Sequence, residues 1–465
     1  MAQLTFQGAT GEVTGSRYRI DTDHARYLLE CGMQQGGSDA DEHNRASLAE
    51  VAQNTHGVIL SHGHLDHSGL LPRLVRDGYR GPIHCTPGTR ELLDIMLRDS
   101  AFVMAKDIEW ENKWRARADR ELLEPLYDEQ DVETTLELCE PLAYGETRHL
   151  DDGSRLTFHD AGHILGAAIV ELVVPSGGRE RRLVFSGDLG NPDSVLMNDP
   201  ARLEQADHVL LESTYGDRDH RPQEETIEEF AQILQDAWED GGNVLIPAFA
   251  VGRTQEILYH LGMLHHAGRV PQQKIFLDSP MGIRVTELYA RCRQALNSDD
   301  LDRLHEAANG NTREYLPPLQ FTRTVEESMS INRISGGAII IAGAGMCNGG
   351  RIVHHFKYNL ERRDTHLVIV GFQAAGTLGR RLVDGADSVK IHGDEIAVKA
   401  HVHTLGGFSA HAGQSQLLAW AEAFRSHPVF HLVHGEPEAR DALANAMRER
   451  EMDARVPDYG DTIEL

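Results

Sequence analysis

Cysteine is scarce in this 465-residue chain: there are five, at positions 31, 85, 139, 292 and 347. They are scattered, odd in number and never spaced as C-x-x-C, which argues against a disulfide framework and a thiolate zinc site and points to a reducing, cytoplasmic setting. No apolar run approaches the roughly 20 residues of a membrane span, so no membrane partner is expected. Residues 1–19 lack the basic and apolar regions of an export signal and read instead as a strand, a glycine-rich turn and a second strand. Lysine is nearly missing: six residues against 39 arginines, whose planar forks suit phosphate oxygens. Net positive charge is missing altogether. At −27, the surface repels polyanions over long range unless basic groups gather around one cleft. No internal repeat or low-complexity tract is present.

What is present describes a folded, multi-core protein. Hydrophobic residues make up 40% and charged residues 25%, the ordinary globular balance, and the length calls for two or three cores. Residues 1–213 alternate short apolar strands with glycine-rich turns, as at 57–60, 156–158, 183–185 and 209–211. Between them, 89–138 carries helical spacing and a charged face. From about Tyr215 the pattern lengthens into alternating helices and strands, the mark of a separate α/β domain. Strand-like sequence resumes at 396–402 and a last strand ends at Leu432-Val433, so the tail is expected to complete the first domain.

The strongest chemical signal is Ser61-His62-Gly63-His64-Leu65-Asp66-His67, directly after the strand at 58–60. Imidazoles at i and i+2 on a glycine-relaxed loop can converge on one metal, while Asp66 and His67 at the start of a helix point to a second. A hydrophobic core has no use for such a cluster. Further ligand types stand where other strands end: His163, Asp188 and His434. Imidazole and carboxylate without thiolate place zinc ahead of manganese and suit a two-metal hydrolytic site.

In these motifs the chain resembles the metallo-β-lactamase superfamily over its first 190 residues and its tail. The resemblance implies an α/β fold, an αββα sandwich. His62, His64 and His163 would hold one zinc, Asp66, His67 and His434 the other, and Asp188 would bridge two Zn2+ ions, with a hydroxide between them as nucleophile.

Five segments, at 212–216, 247–253, 278–281, 345–351 and 371–380, resemble the β-CASP family. The chain is identified as a member similar to the endonuclease subunit of the cleavage and polyadenylation specificity factor and its prokaryotic relatives. The domains implied are residues 1–213 and 391–465 for the metallo-β-lactamase fold and 214–390 for an inserted β-CASP domain. The family's motif A carboxylate is matched by Glu212, its motif B histidine by His411 and its motif C histidine by His434, the last favouring RNA over DNA. His411 with Glu212, beside Asp66, is then expected to protonate the departing ribose oxygen. Arg253, Arg351, Thr377, Arg380 and Ser409 are candidate contacts to the RNA backbone. The expected activity is internal cutting of single-stranded RNA, against a 5′-to-3′ exoribonuclease or a small-molecule ester or thioester hydrolase on the same fold. A homodimer is compatible with the family. No KH-like region or long C-terminal extension is expected, so little sequence specificity is expected without a partner protein. His403 is left open between facing the cleft and a structural role.

Overall fold

The computed structural model describes residues 1–36, 40–192, 194–308, 315–374 and 376–465. The chain divides into two compact units. The first comprises Met1–Pro192, Asp199–Asp219 and His411–Leu465, the second Asp193–Asn198 and His220–Ala410.

The first unit contains two seven-stranded sheets. One runs, in spatial order, Thr462–Glu464, Gln3–Phe6, Tyr18–Asp21, Arg26–Leu29, Gly57–Ile59, Ile83–Cys85 and Cys139–Pro141. The other runs Ala454–Arg455, Val429–Val433, His208–Glu212, Arg179–Phe185, Ala168–Ser176, Arg155–Asp160 and Thr147–His149. The side-chain period of two sorts each strand between two cores. Tyr27, Leu29 and Ile59 join Phe158, Val170, Phe185, Leu210 and Val433 between the sheets. Their neighbours Leu28 and Val58 turn the other way, onto Leu71, Leu74, Leu93, Leu97 and Val132 of the covering helices. The outer face of the second sheet is closed by the helices Gln414–Ala421 and Pro437–Arg448, where Phe424 meets Phe430 edge-on at 5.9 Å. The result is an αββα sandwich.

The second unit is built on a six-stranded sheet in the order Leu319–Phe321, Lys274–Asp278, Ala338–Ala342, Val244–Pro247, His366–Ile369 and His401–Thr404, with every pair parallel. Helices cover both faces, so its central strands are apolar throughout rather than alternating. In Ala338–Ala342, Ile339 and Ile341 enter one core and Ile340 the other.

Two expected boundaries move: residues 214–219 stay with the first unit, and the second unit extends past residue 390. Residues 391–410 do not return to the first unit. Asp394–Ala397 pairs with Ser388–Ile391, and His401–Thr404 forms the edge of the parallel sheet, satisfying its backbone there. The chain returns only at His411, where an isolated bridge joins it to Gly190.

Candidate metal centre

Five strands of the first unit end at the ligand-type residues. Gly57–Ile59 leads into the 61–67 loop. Arg155–Asp160, Arg179–Phe185 and Val429–Val433 lead to His163, Asp188 and His434, and His208–Glu212 ends on Glu212 itself. The last four lie in one sheet and point the same way, because two antiparallel pairings restore direction and the remaining pairings are parallel. Their carboxyl ends therefore open on one edge. Close loop packing there depends on glycine: a Cβ on Gly190 would stand 2.0 Å from the Gly162 carbonyl oxygen. His434 itself adopts a left-handed conformation, φ 52°, a costly geometry of the kind that clusters at functional sites.

The side chains form two adjoining ligand sets sharing Asp188. In the first, the ring nitrogens of His62 (Nε2) and His163 (Nε2) lie 3.1 and 3.3 Å from His64 Nδ1. Asp188 Oδ2 stands 3.5 Å from His62 and 3.6 Å from His163. In the second, His67 Nε2 and His434 Nε2 are 3.1 Å apart, with Asp66 Oδ2 3.6 Å from His434. Asp188 Oδ1 lies 3.3 Å from His67 and 3.5 Å from His434. All of these side chains except His64 and Asp66 are buried.

This arrangement fits metal ions on two counts. Asp188 Oδ1 is a buried acceptor without a hydrogen-bond donor, an expensive state unless a cation occupies its lone pairs. The paired ring nitrogens also converge on each other at distances suited to ligands of a common ion. Burial pushes the His62 and His64 imidazolium forms down, keeping their rings neutral as metal binding requires. Burial works against the charge of Asp66, yet His434 and His67 hold its carboxyl down to about 2.

A residue with no motif organises the set. Glu30, at the end of Arg26–Leu29 and wholly buried, accepts from His67 Nδ1 at 2.6 Å, from Ser61 N at 2.6 Å and from Ser61 Oγ at 2.9 Å. Ser61 Oγ lies in turn 3.0 Å from His62 Nδ1. One carboxylate thus engages Nδ1 of His67 directly and Nδ1 of His62 through Ser61, turning both Nε2 atoms toward Asp188. His434 is turned the other way: its Nδ1 lies 3.2 Å from Thr214 Oγ1 and 3.5 Å from Asp188 Oδ1, and its Nε2 faces His67 and Asp66. The only sequence signal for Glu30 is an acidic residue closing an apolar strand.

Beside this set stand Glu212 and His411, 3.3 Å apart between Oε1 and Nδ1. With Asp188 they form a third cluster whose ligand atoms lie within 4.8 Å of one another. Glu212 is fixed by the backbone amides of Leu189 at 2.7 Å and Thr214 at 3.3 Å. Burial alone would depress the His411 imidazolium, but Glu212, then Asp188 and Asp66, lift it to about 9.

The candidate RNA contacts lie in the second unit. Arg253 is buried and committed to Glu256. Arg351 donates to Asp278 Oδ1 at 2.6 Å and to the Thr322 and Arg323 carbonyls. Both guanidiniums serve internal pairs: Glu256 lies one turn on in the helix Arg253–His266, and Asp278 ends the strand Lys274–Asp278. Thr377 caps the helix Leu378–Val383, accepting from Arg380 N at 3.1 Å. Arg380 is exposed and paired with Asp384 one turn on, and the Ser409 carbonyl accepts from Ser194. Ala375, within the 371–380 segment, lies outside the described residues. His403 contacts His366 Nδ1 at 3.0 Å within the second unit.

Three family models match the chain: a Beta-lactamase superfamily domain over residues 25–240, a Beta-Casp domain over 254–382 and a Zn-dependent metallo-hydrolase RNA specificity domain over 395–457. The sequence is 40% identical over 457 residues to a ribonuclease of Thermus thermophilus, with 98% of each chain covered. It is 32% identical over 460 residues to a transcription termination factor of Methanosarcina mazei, covering 96% of this chain and 68% of that one. A crystal structure of a protein of unknown function from Enterococcus faecalis, 12% identical, matches the whole of both chains with a TM-score of 0.53, a likeness of fold alone.

Proposed function

Because this chain belongs to the β-CASP ribonucleases of the metallo-β-lactamase superfamily, we propose that it cuts single-stranded RNA at internal phosphodiester bonds and works with two zinc ions. His62, His64 and His163 would hold one ion and Asp66, His67 and His434 the other, with Asp188 between them. Imidazole and carboxylate donors without thiolate support zinc. When bound, the ions supply Lewis-acid polarisation of the phosphoryl oxygens and a water acidic enough to attack near neutral pH.

The chain's own part is proton handling. His411, kept protonated by Glu212 and raised to about 9, donates its proton to the departing ribose oxygen. Glu212 holds the ring and stabilises its charge while it waits. Glu30 and Ser61 hold the His67 and His62 rings through Nδ1 and turn their Nε2 atoms inward.

The observation that carries the reading is the His411–Glu212 pair set against the shared ligand Asp188. A hydrolase for small esters or thioesters needs the ligands but not this acid. RNA as the polymer is supported by the RNA specificity model over 395–457 and by the Thermus thermophilus ribonuclease. Internal cutting is supported by the Gly407-Phe408-Ser409-Ala410-His411 form of motif B. The test is a circular single-stranded RNA, which offers no end. Zinc-loaded enzyme is expected to linearise it and then shorten it; a circle left intact while its linear counterpart is degraded would assign an exonuclease.

A further inference from the structure

Outside the catalytic cluster, the second unit gathers three histidines and an aspartate for which RNA hydrolysis has no use. His366 opens the strand His366–Ile369 and lies directly opposite His401 on the neighbouring parallel strand. His403, two residues on, shares the face of His401 by the period-two rule. Asp240 is the C-cap of the helix Gln223–Glu239 and brings a carboxylate over that face.

The contacts are specific. His366 Nε2 stands 3.0 Å from Asp240 Oδ2, and His366 Nδ1 stands 3.0 Å from His403 Nε2. The His366 ring centroid lies 4.8 Å from that of His401 and 5.1 Å from that of His403, the latter pair 8° from parallel. One ligand atom each from Asp240, His366 and His401 falls within 4.8 Å of the others.

We propose that Asp240, His366 and His401 form an additional metal site for a divalent first-row transition ion of the zinc class, with His403 holding His366 from behind. Two imidazoles and one carboxylate are the borderline donor set of zinc, cobalt, nickel and copper rather than the all-oxygen set of magnesium or calcium. His403 occupies the position that an outer partner takes behind a ligating histidine: it engages the nitrogen turned away from the ion and fixes the ring. His366 and His403 are inward while His401 and Asp240 are exposed, so an ion has a path from solvent, and three protein donors leave a coordination position for water.

An ion here ties the edge strand of the parallel sheet to the helix that crosses it. Edge strands are otherwise held on one side only, and ligand binding to the folded state alone stabilises it by mass action. The site draws on no residue of the catalytic cluster, so it stands or falls independently of the ribonuclease reading.

The test compares the full wild-type chain with His401→Ala and Asp240→Asn, both exposed positions whose replacement leaves the sheet core untouched. Each protein is stripped with a chelator, equilibrated at micromolar free zinc, desalted and measured by plasma mass spectrometry. Each variant is expected to retain about one zinc equivalent fewer per chain than the wild type, and zinc is expected to raise its unfolding midpoint less. Equal zinc content in all three proteins would overturn the assignment.

Discussion

Replacing Glu30 by Gln tests whether one carboxylate sets the protonation of the metal ligands. The substitution preserves size, and it preserves whatever backbone preference Glu has at this left-handed position, φ 64°. What changes is acceptor count. Glu30 receives three hydrogen bonds: Ser61 N on Oε1, and Ser61 Oγ and His67 Nδ1 on Oε2. An amide offers one oxygen and one NH2, so it can satisfy only one side. If its oxygen faces Ser61 N, its NH2 faces His67 and forces that ring to carry its proton on Nε2, the nitrogen turned toward Asp188. Displacing that proton, and losing the orienting charge, is expected to cost about 10–100-fold in metal affinity, or about 1.4–2.8 kcal/mol. If the amide flips, two buried donors meet at Ser61 N, at about 1–3 kcal/mol of stability. Zinc competition against a chromophoric chelator and denaturant unfolding of the metal-free protein read the two branches separately. Zinc affinity within about twofold of wild type together with stability unchanged to about 0.5 kcal/mol would refute the role given to Glu30.

Four further outcomes are expected. Asp278, wholly buried, accepts from Thr322, Ser328, Arg351 and His355; Asp278→Ala should cost about 3–5 kcal/mol in denaturant titrations that follow the second unit. Burial opposes the charge of that carboxylate, but its partners, His355 first, hold it at about 2. Its folded pKa is depressed, so its contribution is in place above about pH 4 and is lost as pH falls toward 2, by about 2–3 kcal/mol across that window; acid unfolding of Asp278→Asn should lack this share. His411 is raised, so its acid form exists below about 9: kcat/KM should fall as pH rises through that region, and Glu212→Gln should move the limb downward. Arg380→Ala, at an exposed guanidinium, should raise KM for RNA a few-fold while hydrolysis of bis-p-nitrophenyl phosphate holds.

The ligand loop was legible because metal sites demand chemically conspicuous residues at strand ends, and the glycines around Asp188 and His163 announce the turns that carry them. The αββα sandwich came from the resemblance to the metallo-β-lactamase superfamily that those motifs carry. Glu30 was not legible: a single acidic residue after an apolar strand has no spacing to mark it, and its importance arises only when Ser61 and His67 fold onto it. The partners of Arg253 and Arg351 were not read from the sequence either. An arginine beside a glycine turn has the same local pattern whether it faces a phosphate or a carboxylate; Glu256 lies one helical turn from Arg253, whereas only the tertiary fold brings Asp278 to Arg351. The domain boundary shifted because 394–404 reads equally well as strand for either sheet, and pairing with His366–Ile369 decides it.

The most direct test of the account follows 5′-end-labelled single-stranded RNA over time with zinc-loaded wild type and His411→Ala side by side, matched DNA serving as control. The account predicts a ladder of internal RNA cuts by the wild type, loss of at least about 100-fold in rate for the variant, and abolition by chelator with recovery on adding zinc. RNA left whole by a wild-type protein that holds its metals, or equal cutting by His411→Ala, would contradict it.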